Sequence, residues 1–373
     1  MSWLPEQPGN GLDRVYHALF ENLPHANVQA YGSVAGSRAV AEQSGGMIVA
    51  FDSDKASLAT RLMKQRLLVR AELKKRNYDL IASHFALYTY PILGLIKPFP
   101  LVVHFHGPWA DESRVEGEGN KAYNFKKYIE RRVYRQADMF IVLSTAFRDV
   151  LIEHFGVPAK KIRIVPGGAD LDRFDVGGDQ LAARNRLGWE SDKTIIVSVR
   201  RLARRMGLEH LIDSVSTLSA QFPDLRLKIA GKGPIQDELQ QRIIDRNAGD
   251  VIELLGYVPE ELLPSIYSAA DLSVVPTVSL EGFGLITVES LASGTPCLVT
   301  PVGGLPEVVR DLSADLITSD TTTESLTDSL ARILSREISL PDSQMCIAFA
   351  REHYDWKAVA RKTRKVYDEV LSQ

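Results

Sequence analysis

Two successive series of short apolar runs, separated by helix-length amphipathic segments, constrain this 373-residue chain more than any other feature of it. The first series is Asp79-Leu80-Ile81-Ala82, Leu101-Val102-Val103, Met139-Phe140-Ile141-Val142-Leu143 and Ile162-Arg163-Ile164-Val165. Strands this short and continuously apolar are covered on both faces, and parallel neighbours need a crossover between them, so the pattern reads as α/β, a parallel sheet flanked by helices. The second series begins at Thr194-Ile195-Ile196-Val197-Ser198-Val199 and continues through Leu227 to Ala230, Val251 to Leu254, Leu272 to Val275 and Cys297 to Val299. A second sheet of the same class follows. Phe174 to Trp189 is rich in Gly, Asp and Arg and lacks strand periodicity, which places a boundary near residue 175. The expected organisation is a first domain over 1–175, a second over 176–354, and a closing helix over 355–373 with Trp356, Val359, Val366, Tyr367 and Val370 at helical spacing. The first sheet lacks an evident first strand, because helix-like residues begin at Leu12. Either Met1 to Leu4 is its remnant or the chain lacks it, leaving an exposed edge or an unfilled core.

Hydrophobic residues at 45% and charged residues at 24% are globular averages and exclude large-scale disorder. Two cysteines, Cys297 and Cys346, stand without a second Cys or His at metal spacing, so buried thiols in a reducing, cytoplasmic compartment are expected. No apolar run approaches the ~18 residues of a spanning helix, and Met1 to Pro5 has no signal-peptide anatomy. Net charge is −3, yet residues 1–173 carry 23 Lys/Arg against 18 Asp/Glu, the remainder 21 against 29. Part of that excess lies on an expected helix from Leu58 to Arg76, where Arg61, Lys64, Arg66, Arg70, Lys74, Lys75 and Arg76 are set among leucines. Such a helix either presents a solvated face or docks peripherally on an anionic membrane, here the inner face. Nucleic acid is not an expected partner, since no aromatic-basic recognition motif is present.

Glu281-Gly282-Phe283-Gly284-Leu285, followed by Glu289, carries the most chemistry. If a helix begins near Gly284, its N-terminus favours a diphosphate, the glycines let backbone N–H groups approach it, and the two carboxylates could meet a sugar and a ribose. Two surface acids beside a glycine-rich loop is the plain alternative. Val199-Arg200-Arg201-Leu202-Ala203-Arg204-Arg205 follows a strand, where arginines suit a phosphate crevice or form a solvated basic loop. Gly231-Lys232-Gly233-Pro234 falls at the same sheet edge and alone is a weak signal. Pro8-Gly9-Asn10-Gly11 leads into a helix and either aims N–H groups at donor or acceptor or makes a turn. His104 and His106 share one face at a strand's carboxyl end, and His106 beside Gly107 is the functional candidate; His84 is weaker. Ser144 lacks a Gly-x-Ser-x-Gly elbow, and no Walker phosphate loop or Asp-x-Asp metal pair is present, so triad hydrolysis and phosphoryl transfer lose ground.

Taken together, these residues resemble glycosyltransferase family 4, retaining enzymes with two facing Rossmann-like domains (the GT-B fold). Val165 to Asp170, Leu255 to Val258, Gly294-Thr295-Pro296 and Gly303 to Glu307 extend the resemblance over nearly the whole chain. The resemblance implies transfer of a sugar from a nucleotide diphosphate-sugar, UDP favoured and GDP next, to a glycan, lipid-linked or small-molecule acceptor in surface polysaccharide or glycoconjugate synthesis. The nucleotide-sugar is a co-substrate; no cofactor or metal is implied. Arg201 and a second cation would hold the diphosphate, with Gly11, Gly231 and the Gly282 to Leu285 backbone adding to the cradle. Glu281 would contact the sugar and Glu289 the ribose, His106 would lie near sugar and leaving phosphate, and Tyr257 and Val258 near the base. Asn10, His106 and Trp109 are the acceptor candidates, with His106, Arg201 and Glu281 catalytic. The closing helix would pack on the first domain. The family's Lys five residues after the motif Arg falls on Met206, and Arg205 is the expected substitute. A catalytically impaired nucleotide-sugar-binding partner and a nucleotide-sugar 2-epimerase of the same fold are the rival readings.

Overall fold

The computed structural model describes residues 11–36, 42, 44–52, 56–175 and 179–373. The chain forms two compact units, residues 1–167 with 356–373, and residues 168–355. The division falls after Gly167 and not near 175, because Ala169 donates its N–H to the Tyr354 carbonyl at 3.0 Å and pairs with Asp355. Arg173 also reaches Glu260 at 3.2 Å, so residues 168–175 pack with the second unit.

In the first unit, β3 (Ile81–Ser83), β4 (Leu101–Phe105), β5 (Met139–Val142) and β6 (Ile162–Ile164) form a parallel sheet in that order. All five β4 residues are buried, as an inner parallel strand requires. Ser144, set aside above as a nucleophile, is a helix cap: its hydroxyl accepts from Phe147 N–H at 3.2 Å, and Gly156 at φ 66° ends that helix. Two further strands, β1 (Gly32–Val34) and β2 (Ile48–Ala50), pair with each other in a separate two-stranded sheet. A cavity of about 560 Å³ is lined by residues of β1, β2 and β3. The proposed Met1 to Leu4 remnant lies outside the described residues. The closing helix, Trp356–Leu371, belongs to this unit and buries Trp356, Val359, Val366, Tyr367 and Val370. Each such side chain contributes roughly 1.5–3 kcal/mol by burial. Tyr367 adds a hydrogen bond, its hydroxyl 2.8 Å from His104 Nε2.

The second unit holds β7 (Thr194–Val199), β8 (Leu225–Ala230), β9 (Ile252–Gly256), β10 (Leu272–Val275) and β11 (Cys297–Val299), all parallel, in the order β11-β10-β7-β8-β9. The chain builds outward from β7 through β8 to β9, then returns to the other side of β7 for β10 and β11. The strand order therefore reverses between β7 and β10, and ligands of open parallel sheets bind outside the carboxyl ends of the strands at such a point. Among the described residues no helix is long and apolar enough to cross a membrane. Both cysteines are buried and free.

Candidate active site

The loops leaving the carboxyl ends of all five strands of the second unit are tied to one another. Arg200 N–H donates to Ala230 O at 2.8 Å, Leu202 N–H to Lys232 O at 3.0 Å, and Gly231 N–H to Gly256 O at 2.7 Å. On the other side of the reversal, Val278 N–H donates to Arg205 O at 2.9 Å and Gly304 N–H to Glu281 O at 3.1 Å. Two glycines are required by this crowding. A Cβ on Gly231, at φ 143°, would lie 1.8 Å from Arg200 O, and one on Gly303, at φ 57°, 1.8 Å from Glu281 O.

Across the β7/β10 reversal the decisive contact is an ion pair. Arg200 Nη2 lies 2.7 Å from Glu281 Oε2, with side chains 7% and 15% exposed, and 2.6 Å from Thr277 Oγ1. Arg200 precedes Arg201, which the resemblance assigns to the diphosphate, and has no role of its own in the sequence pattern. Arg201 is exposed on the same turn, and Arg205 sends Nη1 to the Leu280 carbonyl at 2.9 Å. Leu280 itself is held at φ 55°, a left-handed conformation that costs a branched residue about 1–2 kcal/mol.

The helix expected after Gly284 spans Leu285–Ala292, with Gly284 at φ 85° as its N-cap. No side chain caps it; of its first-turn donors, Thr287 N–H bonds the Gly284 carbonyl at 2.9 Å. Glu289 is 3% exposed, one turn inside. Phe283 turns into the core against Tyr354, ring centroids 5.7 Å apart. Tyr257 stands exposed beneath Lys232 Nζ, 5.5 Å from the ring centroid, with Val258 half-buried next to it.

In the first unit the sheet register aligns three imidazoles. Ser83 pairs with Val103, so His84 falls between His104 and His106, stacking on them at 4.1 and 5.3 Å. His84 Nδ1 lies 3.1 Å from His106 Nε2, and Tyr16 packs edge-on against His84. His106 Nδ1 is buried without a partner. Burial, followed by the neighbouring imidazoles, holds His104 down to about 3 and His84 well below its usual value; burial alone brings His106 to about 4. Unfolded histidines titrate near 6.5, so this cluster's contribution is complete above about pH 6.5 and is lost as pH falls, down to about 4 for His106 and about 3 for His104, with a slope of roughly 1.4 kcal/mol per pH unit per histidine. His84→Phe keeps the stack and removes one titrating group. Its stability, measured by urea unfolding between pH 7 and 4.5, should fall less steeply than the parent's by about one proton; equal slopes would contradict the buried cluster.

Trp109 begins the helix Trp109–Val115, packs against Phe85 at 5.1 Å and lies under Lys126 Nζ at 4.9 Å. Glu130, fully buried, receives Ala110 N–H at 3.4 Å, and burial pushes its carboxyl up to about 8. Gly11 opens the helix Gly11–Asn22, and a Cβ there would meet nothing within 4 Å. Asn10 lies outside the described residues.

Residues 9–173 match the family model Glycosyltransferase Family 4, and residues 179–353 match Glycosyl transferases group 1. D-inositol 3-phosphate glycosyltransferase of Streptomyces scabiei is 31% identical over 313 residues, 79% of this chain and 69% of that protein. The chain belongs to glycosyltransferase family 4. Mannosylfructose-phosphate synthase of Agrobacterium fabrum is 34% identical over 253 residues, 61% of this chain, and the match spans 55% of the synthase's own length. Among solved structures, Anabaena Alr3699/HepE in complex with UDP-glucose has a TM-score of 0.77 at 18% identity, covering 100% of this chain and 99% of that one. Sucrose-phosphate synthase of Thermosynechococcus elongatus has 0.72 at 24%, covering 87% and 81%. These structures share the GT-B fold of the family 4 chain.

Proposed function

We propose that this chain is a retaining glycosyltransferase that moves a hexose from a nucleotide diphosphate-sugar, UDP favoured and GDP next, onto a glycan, lipid-linked or small-molecule acceptor. The observation that carries the reading is the Arg200–Glu281 pair at 2.7 Å across the strand-order reversal, beside an uncapped helix N-terminus. The named complex of Anabaena Alr3699/HepE with UDP-glucose supports a uridine donor.

On this reading Arg201 and one further guanidinium of the 200–205 segment, with the Gly284 and Leu285 N–H groups, take the charge of the departing diphosphate without a metal ion. The bond from the anomeric carbon to the phosphate oxygen breaks as cationic character grows on the sugar. The acceptor oxygen attacks from the face the diphosphate leaves, forms the new bond and gives its proton to the leaving phosphate. Glu281 orients the sugar, Glu289 the ribose hydroxyls, and Tyr257 and Val258 the base. His106 contacts the sugar, and Asn10 and Trp109 serve the acceptor. Incubation with UDP-glucose, GDP-mannose and a lipid-linked or glycan acceptor should release nucleoside diphosphate with retained anomeric configuration in the product. Interconversion of donor sugars without transfer would favour the epimerase; binding without release would favour an inactive partner.

The reading places the enzyme in the cytoplasm, peripheral on the inner membrane face, in surface polysaccharide or glycoconjugate synthesis. Its support is the helix Leu58–Lys75, which exposes Met63 and Leu67, at 58% and 57%, beside Arg66, Arg70 and Lys74. The protein should sediment with phosphatidylglycerol vesicles at low salt and lose this on Arg70→Glu with Lys74→Glu. Equal recovery with neutral vesicles would remove the membrane from the account.

A further inference from the structure

Arg200 is placed to do more than pair with Glu281. Its Nη2 also lies 2.7 Å from the sulfur of Met206, and its Nε is buried without a partner. Met206 occupies the position where the resemblance puts a lysine, and Arg205 was the expected stand-in. Arg205 is engaged otherwise: its Nη1 holds the Leu280 carbonyl and its own carbonyl accepts from Val278 N–H, so it clamps the strained turn before Glu281.

We propose that side chains 200 and 206 share one cation site: Arg200 supplies, from the end of β7, the positive charge that would otherwise come from residue 206, and there it positions Glu281. Met206 is 5% exposed in the core with Leu202 and Leu208, and its thioether ends where the guanidinium sits. A lysine ammonium at 206 would meet that guanidinium at contact distance in a site with little water, where like charges repel strongly. An apolar, pliable side chain at 206 is what admits the arginine. The segment thus keeps one cation against Glu281 with its source moved six residues toward the strand. The proposal rests on the reading of the Glu281 loop as the donor site; the coupling of 200 to 206 does not.

Four proteins test it: the parent, Arg200→Ala, Met206→Lys and the double variant. Removing one preorganised charge donor from a site of this kind costs about a hundredfold or more in kcat, so Arg200→Ala should lower kcat for nucleoside diphosphate release by about that factor. Met206→Lys alone should lower it about tenfold. In the double variant the lysine should replace the guanidinium and bring kcat back to within about tenfold of the parent, a rescue that a purely structural role for Arg200 would not give. A double variant no better than Arg200→Ala overturns the shared site. Melting temperatures of the same four proteins read the coupling without any substrate: Met206→Lys should destabilise the parent and be tolerated in the Arg200→Ala background. Additive shifts overturn the coupling, whereas coupled shifts in a parent that turns over no sugar nucleotide would uphold it and remove the donor-site reading instead.

Discussion

Arg201→Ala should lower kcat by about 10²–10³, equivalent to roughly 3–4 kcal/mol of lost transition-state stabilisation, the scale of one preorganised charge donor removed from an oxyanion. The fold should be untouched. Arg201 is exposed on the turn after β7, whereas Leu202 next to it is 1% exposed and belongs to the core. Truncating a side chain outside the core leaves no cavity, so the melting temperature should stay within a degree or two of the parent, as expected for changes within about 0.5 kcal/mol. Because the guanidinium is assigned to charge that grows as the diphosphate departs, the loss should fall mainly on kcat and less on KM. Steady-state kinetics with saturating acceptor checks this. A variant with normal turnover would remove Arg201 from the site, and one that fails to fold would show that the turn after β7 depends on the guanidinium for its structure.

Gly231→Ala should be among the most destabilising single-methyl additions in the second unit. At φ 143° an L side chain is strained, and its Cβ would sit 1.8 Å from the Arg200 carbonyl oxygen, a backbone atom that cannot step aside as a side-chain tip can. Backbone strain of about 1–3 kcal/mol and overpacking of similar size together predict a melting temperature lower by about 5–15 °C for a unit of this size. Displacing Arg200 also moves the hydrogen bond from its N–H to Ala230 and the pair with Glu281, so turnover should fall with stability. Gly11→Ala is the control: nothing lies within 4 Å of its Cβ, and the change should be worth less than about 0.5 kcal/mol. Calorimetric scans of both variants decide it. Equal melting temperatures would mean that the loops after β7 and β8 are not packed as described.

The buried parallel strands were legible because covering both faces forces uninterrupted apolar runs such as Ile195-Ile196-Val197, and the closing helix because burying one face leaves a helical spacing. β1 and β2 were not: β1 reads Gly32-Ser33-Val34, too mixed a run to separate strand from loop, and β2, Ile48-Val49-Ala50, is a short apolar run that follows Gly45-Gly46 with no other apolar run before it to mark a series. The Glu281 loop and the helix at Leu285 were legible from local chemistry, glycines followed by a helical pattern. Which arginine faces Glu281 was not, since the partners are 81 residues apart and adjacent arginines follow the same strand. His84 carries the same lesson. Its contact with His106 spans 22 residues and depends on the Ser83–Val103 register, a property of the sheet and not of either segment.

The central claim is that the loops after β7 to β11 bind a sugar nucleotide, and thermal unfolding of the whole chain with UDP-, GDP-, ADP- and TDP-sugars tests it most directly. A ligand present at a hundred times its Kd that binds only the native state stabilises by about 2.7 kcal/mol, or roughly 5–10 °C here. The account predicts a shift of that size with a UDP-sugar and its loss in Glu289→Gln. No shift with any of the four donors would contradict it.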